Sequence, residues 1–197
     1  MEMTRMVFAQ KQRKVTLCRS GRAMVALNEK KVTTMEAVPV GMDDDGVMRQ
    51  EEREQTGYAY DVCWLDGVKS ESDVLVAAQK AVQYAIDAYD TSSAVNGFVL
   101  NGKMVWLDKA TRVGLMNSTT IAKAMGQATT TLWLGDVKLV VECGKAIQLL
   151  SALEMYALEC FNVTAAHQKA VSEMRTMEEV IGYDYKSGYP EMLTMSV

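Results

Sequence analysis

The chain has 197 residues, 49% hydrophobic and 23% charged, a globular balance that excludes disorder along its whole length. A formal charge of -4 with a pI near 5.2 provides no basic field, so nucleic acid is not expected as a partner. Four widely spaced cysteines (Cys18, Cys63, Cys143, Cys160) contain no C-x-x-C pair, which predicts reduced, buried thiols rather than a zinc ribbon or a redox dithiol.

The opening segment MEMTRMVFAQKQRKVTLCRSGRAMV carries six Lys or Arg residues and no long apolar stretch, so it is not read as a secretory signal. No run approaches the roughly 18 apolar residues that span a bilayer, so no membrane partner is expected and the chain is placed in the cytoplasm of the cell that makes it. Short β-favouring runs follow at Met6 to Phe8, Val15 to Leu17, Ala23 to Leu27 and Val32 to Met35, with Ser20-Gly21 as a hairpin turn. Residues 41–57, GMDDDGVMRQEEREQTG, are polar and aperiodic and are read as a surface loop or a hinge. Tyr58 to Leu65 is read as a further strand.

Ser70 with Asp73 forms a capping-box variant ahead of an Ala-rich helix. Val74, Ala78, Val82, Ala85 and Tyr89 fall on one small-sided stripe of that helix, which makes it the candidate inter-subunit face. Asn101-Gly102, between the apolar runs of Phe98 to Leu107, predicts a hairpin, because both positions tolerate positive φ. Asp108 is placed as the cap of a helix reaching about Met125, closed by Gly126. Gly135-Asp136 predicts a second hairpin with a type II′ turn. Ala146 to Phe161 is expected to be a core helix ending at Asn162-Val163, after which Thr164 caps another. Thr176 and Glu179 spell a capping box for a short last helix. The fold class expected is α+β: a β-rich N-terminal part (1–66), a connecting helix (67–92), and a C-terminal domain (93–197) of two hairpins alternating with helices.

Candidate chemistry is weighed residue by residue. Cys160 and the single histidine, His167, would pair on one continuous helix as thiol and base. The expected helix break and the apolar setting of Cys160 argue instead for a core thiol beside a partly exposed histidine. Asp43-Asp44-Asp45-Gly46 with Glu52 matches the later positions of a calcium loop, but its first position falls on Gly41. The segment is read as a solvated acidic turn, with weak surface binding of a divalent ion as the alternative. Glu154 and Glu159 do not share a helix face, and Glu178-Glu179 sit at a cap. GVKSES lacks the phosphate-loop spacing, and no GxGxxG occurs. Trp64, Trp106 and Trp133 are read as sheet-packing residues rather than a carbohydrate platform. No catalytic residue, metal ligand or cofactor site is assigned, and the chain is not read as an enzyme.

The stretches AYDTSSAVNGFVLNG, WLDKATRVGLMNS, TTTLWLGDVK, LLSALEMYALECFNVTAAH and EEVIGYDYKSGYPE, in this order from about Ala88 onward, resemble the domain family of unknown function catalogued as DUF4376. That resemblance implies a protein of a tailed bacteriophage or prophage, encoded among tail, tail-fibre or baseplate genes. The N-terminal part would then be a variable docking module. Trp106, Asp108, Arg112, Asn117, Tyr156 and Asn162 are the residues it carries over, with structural roles: strand packing, helix caps and buried polar partners. For Arg112 an interface or ligand role and an intramolecular ion pair are both open.

The expected function is therefore that of a virion structural protein acting by protein–protein assembly, with other phage structural proteins as partners. The chain is expected to form a homo-oligomer, a trimer or higher ring. Its rivals are an assembly chaperone or host-directed binding protein outside the virion, and a Cys–His cell-wall hydrolase.

Overall fold

The computed structural model describes residues 3–42 and 47–197 and shows an α+β protein. The chain divides into two compact units, Met1–Ala81 with Arg175–Gly182, and Val82–Met174 with Tyr183–Val197. The division falls inside the helix Val74–Asp90 (α1), not at residues 66 or 92, the boundaries expected from the sequence.

In the N-terminal unit β1 (Thr4–Phe8), β2 (Val15–Cys18), β3 (Arg22–Met42) and β4 (Met48–Asp66) form an antiparallel sheet in the order β1-β4-β3-β2. Gly21, at φ 72°, supplies the left-handed residue that turns β2 into β3. Ala23 to Ala26 are all buried, and Met24, Ala26, Tyr60 and Val62 form a cluster edged by Phe8 and Tyr58. Phe8 meets Tyr60 edge to face at 5.9 Å. A β-bulge between Leu27 and Lys30 places Asn28 at φ 54°, where its amide donates to Asp61 alongside Arg5. Bulges bend a strand and raise its local twist, and this one sits where β3 continues past its last β2 partner, Val25.

Beyond the bulge β3 and β4 run on as a ribbon, paired from Val32↔Gly57 to Met42↔Met48. Within residues 41–57 the expected loop or hinge is therefore strand at 41–42 and 48–57, while 43–46 lie outside the described residues. Gly41 and Met42 end β3, and Met48 to Gly57 begin β4. The alternation that signals a strand arises when one face is buried, and here every residue from Met48 to Thr56 is exposed, so nothing selected a period of two.

Ahead of α1 the Ser70 backbone N–H and hydroxyl both donate to the Asp73 carboxylate, at 2.9 Å each. This is the acidic half of the expected box, opening a 3-10 turn at Glu71–Asp73. The short helix α5 (Met177–Ile181) belongs to the same unit and carries its box in full, Glu179 N–H to Thr176 and Thr176 N–H to Glu179. Its Glu178 forms an ion pair with Lys14.

The C-terminal unit contains α2 (Ser93–Asn96), β5 (Gly97–Leu100), β6 (Lys103–Trp106), α3 (Lys109–Ala124), β7 (Thr129–Leu134), β8 (Val137–Glu142) and α4 (Cys143–Glu173). Both hairpins turn where expected: Asn101 and Gly102 have φ of 48° and 77°, and Gly135 has 60°. Phe98, Leu100, Leu132, Leu134, Leu150 and Leu153 bury the inner faces of the hairpins against α4. A last strand, β9 (Thr194–Met195), pairs parallel to β5, with Val99 and Asn101 N–H groups donating to Leu193 and Met195 carbonyls.

The helix break expected at Asn162-Val163 does not occur: α4 is continuous from Cys143 to Glu173. Thr164 is a buried interior residue, not a cap. Its hydroxyl donates to Asp90 at 2.7 Å and so accepts from the Tyr189 hydroxyl at 2.9 Å. Two tertiary partners outweigh the local preference of Asn and Thr for helix ends.

Asp108 caps α3 as expected, taking the Thr111 N–H at 2.9 Å and the Thr111 hydroxyl at 2.6 Å, and Gly126 closes the helix at φ 80°. These donors, the hydroxyl first, hold the Asp108 carboxyl below the usual carboxylate range. A depressed folded-state pKa contributes stability that is present above the unfolded value and lost as pH falls through the folded one. Amide exchange in the first turn of α3 should accordingly accelerate below the ordinary carboxylate range. Asp108→Asn, which caps as well without titrating, should flatten that dependence.

Candidate functional site

The five residues of the expected inter-subunit stripe lie on one face of α1, but that face is turned inward. Val74, Ala78 and Val82 are 4%, 0% and 2% exposed, and Ile86, which the stripe omitted, is fully buried. Ala85 is half-buried, and Tyr89 packs edge to face on Tyr185 and Tyr189. A stripe already covered by its own chain is not free to meet a second copy without unpacking, so the small side chains serve close packing within the chain.

Cys160 and His167 do share the continuous α4, and the structure gives them separate partners. The Cys160 thiol donates to the Val95 carbonyl at 3.4 Å, the same oxygen that receives the Tyr156 hydroxyl at 2.7 Å. Burial pushes the thiol up and the Tyr156 hydroxyl to about 12, so the thiol form is favoured where a nucleophile would need thiolate. His167 is buried, not partly exposed. Its Nε2 lies 3.0 Å from the Ser187 carbonyl, which can only accept, so Nε2 carries the proton and Nδ1 receives the Tyr183 hydroxyl at 2.7 Å. The imidazole thus fastens the segment after α5 onto α4.

Of the carboxylates named above, Glu159 is an exposed residue of α4 and the other three have partners. Glu154 pairs with Arg112 at 3.0 Å, Glu178 with Lys14, and Glu179 caps α5. Asp43 to Gly46 lie outside the described residues; Gly41 and Glu52, the ends of the calcium pattern, are exposed strand positions. Among the described residues no group of three His, Cys, Asp or Glu is placed to hold a metal ion, and no helix is long and apolar enough to cross a membrane.

Two exposed features stand out among the described residues. One is the distal β3–β4 ribbon. Among the described residues no third strand pairs with it, and Met35, Val40, Met42, Val47 and Met48 along and beside it are 49–71% exposed. Its two strands differ in chemistry. From Arg49 to Glu54 β4 is almost wholly charged, which guards an edge against stray pairing, whereas β3 from Thr33 to Val40 holds one charge, Glu36. The other is a cleft of about 470 Å³ in the C-terminal unit, between the end of β6, the start of α3 and one face of α4. Arg112 forms part of its wall: 7% exposed, it donates from Nε to Glu154 and from Nη1 to the Leu107 carbonyl at 2.8 Å. Of its two open roles the ion pair is thus occupied.

The tryptophans depart from the sheet-packing expectation. Trp64, Trp106 and Trp133 are 43%, 42% and 58% exposed, each on the outward side of its strand. Lys138 lies over Trp133 and Arg22 over Trp64, while Trp106 borders the cleft. A tryptophan in a strand signals an aromatic on a sheet, not which face it takes. No family model, no curated protein and no solved structure matches this chain.

Proposed function

We propose that this chain is a structural component of a tailed-phage particle, in its tail, tail fibre or baseplate attachment, and that it acts by protein–protein assembly through the distal β3–β4 ribbon. The observation that carries the assembly reading is the ribbon itself. From Val32↔Gly57 to Met42↔Met48 it projects roughly 35 Å at about 3.3 Å per residue, with water on both faces. Two strands alone are marginally stable in water, and a free edge is a template for another strand. The neutral β3 edge, rather than the charged β4 edge, is the side that would receive one, by addition of a partner's extended strand. The phage assignment rests on the resemblance of the C-terminal stretches to DUF4376. Repeated copies around a symmetry axis, as phage parts are arranged, are consistent with an arm that needs a neighbour.

Replacing residues 33–56 by an Asn-Gly turn tests the arm. Strands β1 and β2 pair only with residues outside the deletion, so the shortened protein should stay within about 0.5 kcal/mol of the parent in urea denaturation. It should, however, fail to enter particles when supplied in place of the intact chain. Mass spectrometry of purified particles then separates a virion component from an assembly chaperone, which would be absent from mature particles. Incorporation of the shortened chain at parental levels would overturn the docking role.

A further inference from the structure

We propose that the cleft beside Arg112 in the C-terminal unit binds a neutral saccharide of one or two pyranose rings. The volume of about 470 Å³ lies within the roughly 300–1,000 Å³ range of small-ligand sites. Its rim carries large apolar side chains that the fold leaves wet: Trp106 at the end of β6, and Leu158 and Phe161 one turn apart on α4, 42%, 48% and 60% exposed. Neither ring is needed by the core, since Val105 and Cys160, their chain neighbours, are the buried members. Two flat faces bordering one cavity suit a ligand that is itself flat and apolar on one side.

The polar groups define the rest of that ligand. Acceptors and donors both line the cavity, in Asp108, Lys109, Arg112 and Glu154, with Asn96 of α2 and Asp90 at the end of α1. The stronger charges are already met inside the protein: Glu154 by Arg112, Asp108 by the Thr111 amide and hydroxyl, and Asp90 by the Thr164 hydroxyl. An anion entering the cleft would face three carboxylates, and a cation would face Arg112 and Lys109. What the site favours is a neutral molecule rich in hydroxyls, each able to donate to a carboxylate and accept from a cation. A sugar ring combines that edge with an apolar C–H face for the two aromatic rings. Arg112, nine-tenths buried and held at two points, gives the site a preformed donor rather than a surface side chain that must be ordered on binding.

The test uses the full chain with Trp64→Phe and Trp133→Phe, which leaves Trp106 as the only tryptophan, excited at the red edge where the tyrosines do not absorb. It is titrated with glucose, galactose, N-acetylglucosamine, lactose and chitobiose, and with lysine and glutamate at matched ionic strength as charged controls. At least one sugar should shift Trp106 emission saturably, and neither charged control should. Phe161→Ala should weaken that sugar about 3- to 10-fold, the value of one aromatic face. Its melting should match the parent, because the ring is 60% exposed. Trp106→Ala, read by ligand-observed NMR in the otherwise native chain, supplies a second variant and should weaken binding similarly. No saturable sugar, binding of a charged control instead, or parental affinity in both variants would each overturn the proposal.

Discussion

Methionine in place of Arg112 should lower the stability of the C-terminal unit by about 2–4 kcal/mol. The Arg112 side chain is 8% exposed, and its guanidinium makes two bonds, to Glu154 and to the Leu107 carbonyl, which joins β6 to α3. Removing it strands a carboxylate and a carbonyl at once. The estimate sits below the full penalty for breaking a buried pair because Glu154, 34% exposed, keeps part of its hydration. Lysine keeps the charge but lacks the fork that reaches both acceptors, so Arg112→Lys should fall between methionine and the parent. Glu154→Leu combined with Arg112→Met should recover part of the loss, since two apolar side chains leave no stranded charge. Urea denaturation gives the totals, and amide exchange in α3 and α4 assigns the loss to this unit. A change within about 0.5 kcal/mol for Arg112→Met would mean that the pair is idle.

Alanine at Phe98 should cost more, about 3–5 kcal/mol. The ring is fully buried and the largest of the side chains with almost no exposure, packed in the cluster that holds Leu150 and Leu153 of α4. The space it vacates has little means of collapsing, because β5 is fixed on both sides, by β6 and by β9. Phe98→Leu, which retains most of the volume, should lose well under half as much. Thermal denaturation of the three proteins, with near-UV circular dichroism as the packing signal, reads the order directly. Equal losses for alanine and leucine would show that shape, not filled volume, limits this site.

The parts of this fold that rest on neighbouring residues were legible. Asn101, Gly102 and Gly135 turn their hairpins because tolerance of positive φ is a property of those residues themselves. Asp108 and the Thr176–Glu179 box cap their helices through partners three positions away. What stayed hidden depended on distant residues or on their absence. The β4 half of the ribbon is exposed at every residue from Met48 to Thr56, so it carries no alternation. The continuity of α4 depends on Asp90 and Tyr189, both far from Thr164 in sequence. The pairing of β9 with β5 rests on two residues, Thr194 and Met195, with no pattern to announce it. At the cleft the single residues were visible, Arg112 and Asp108 among them. Their convergence with Phe161 needed the packing of α4 beside α3, which no spacing encodes.

The division of the chain into interleaved units limits how such a protein can be recombined. Arg175–Gly182 belongs with the β-rich unit although it lies inside the sequence span of the other, so no single cut separates the two. A crossover that exchanged only residues before α1 would strand Glu178 without the Lys14 it evolved beside. Grafting a different N-terminal part onto this C-terminal unit therefore requires matching changes in the segment Arg175–Gly182, which begins far downstream of Ala81. Natural or engineered chimaeras should carry that segment with the N-terminal part, as a second passenger of the same exchange.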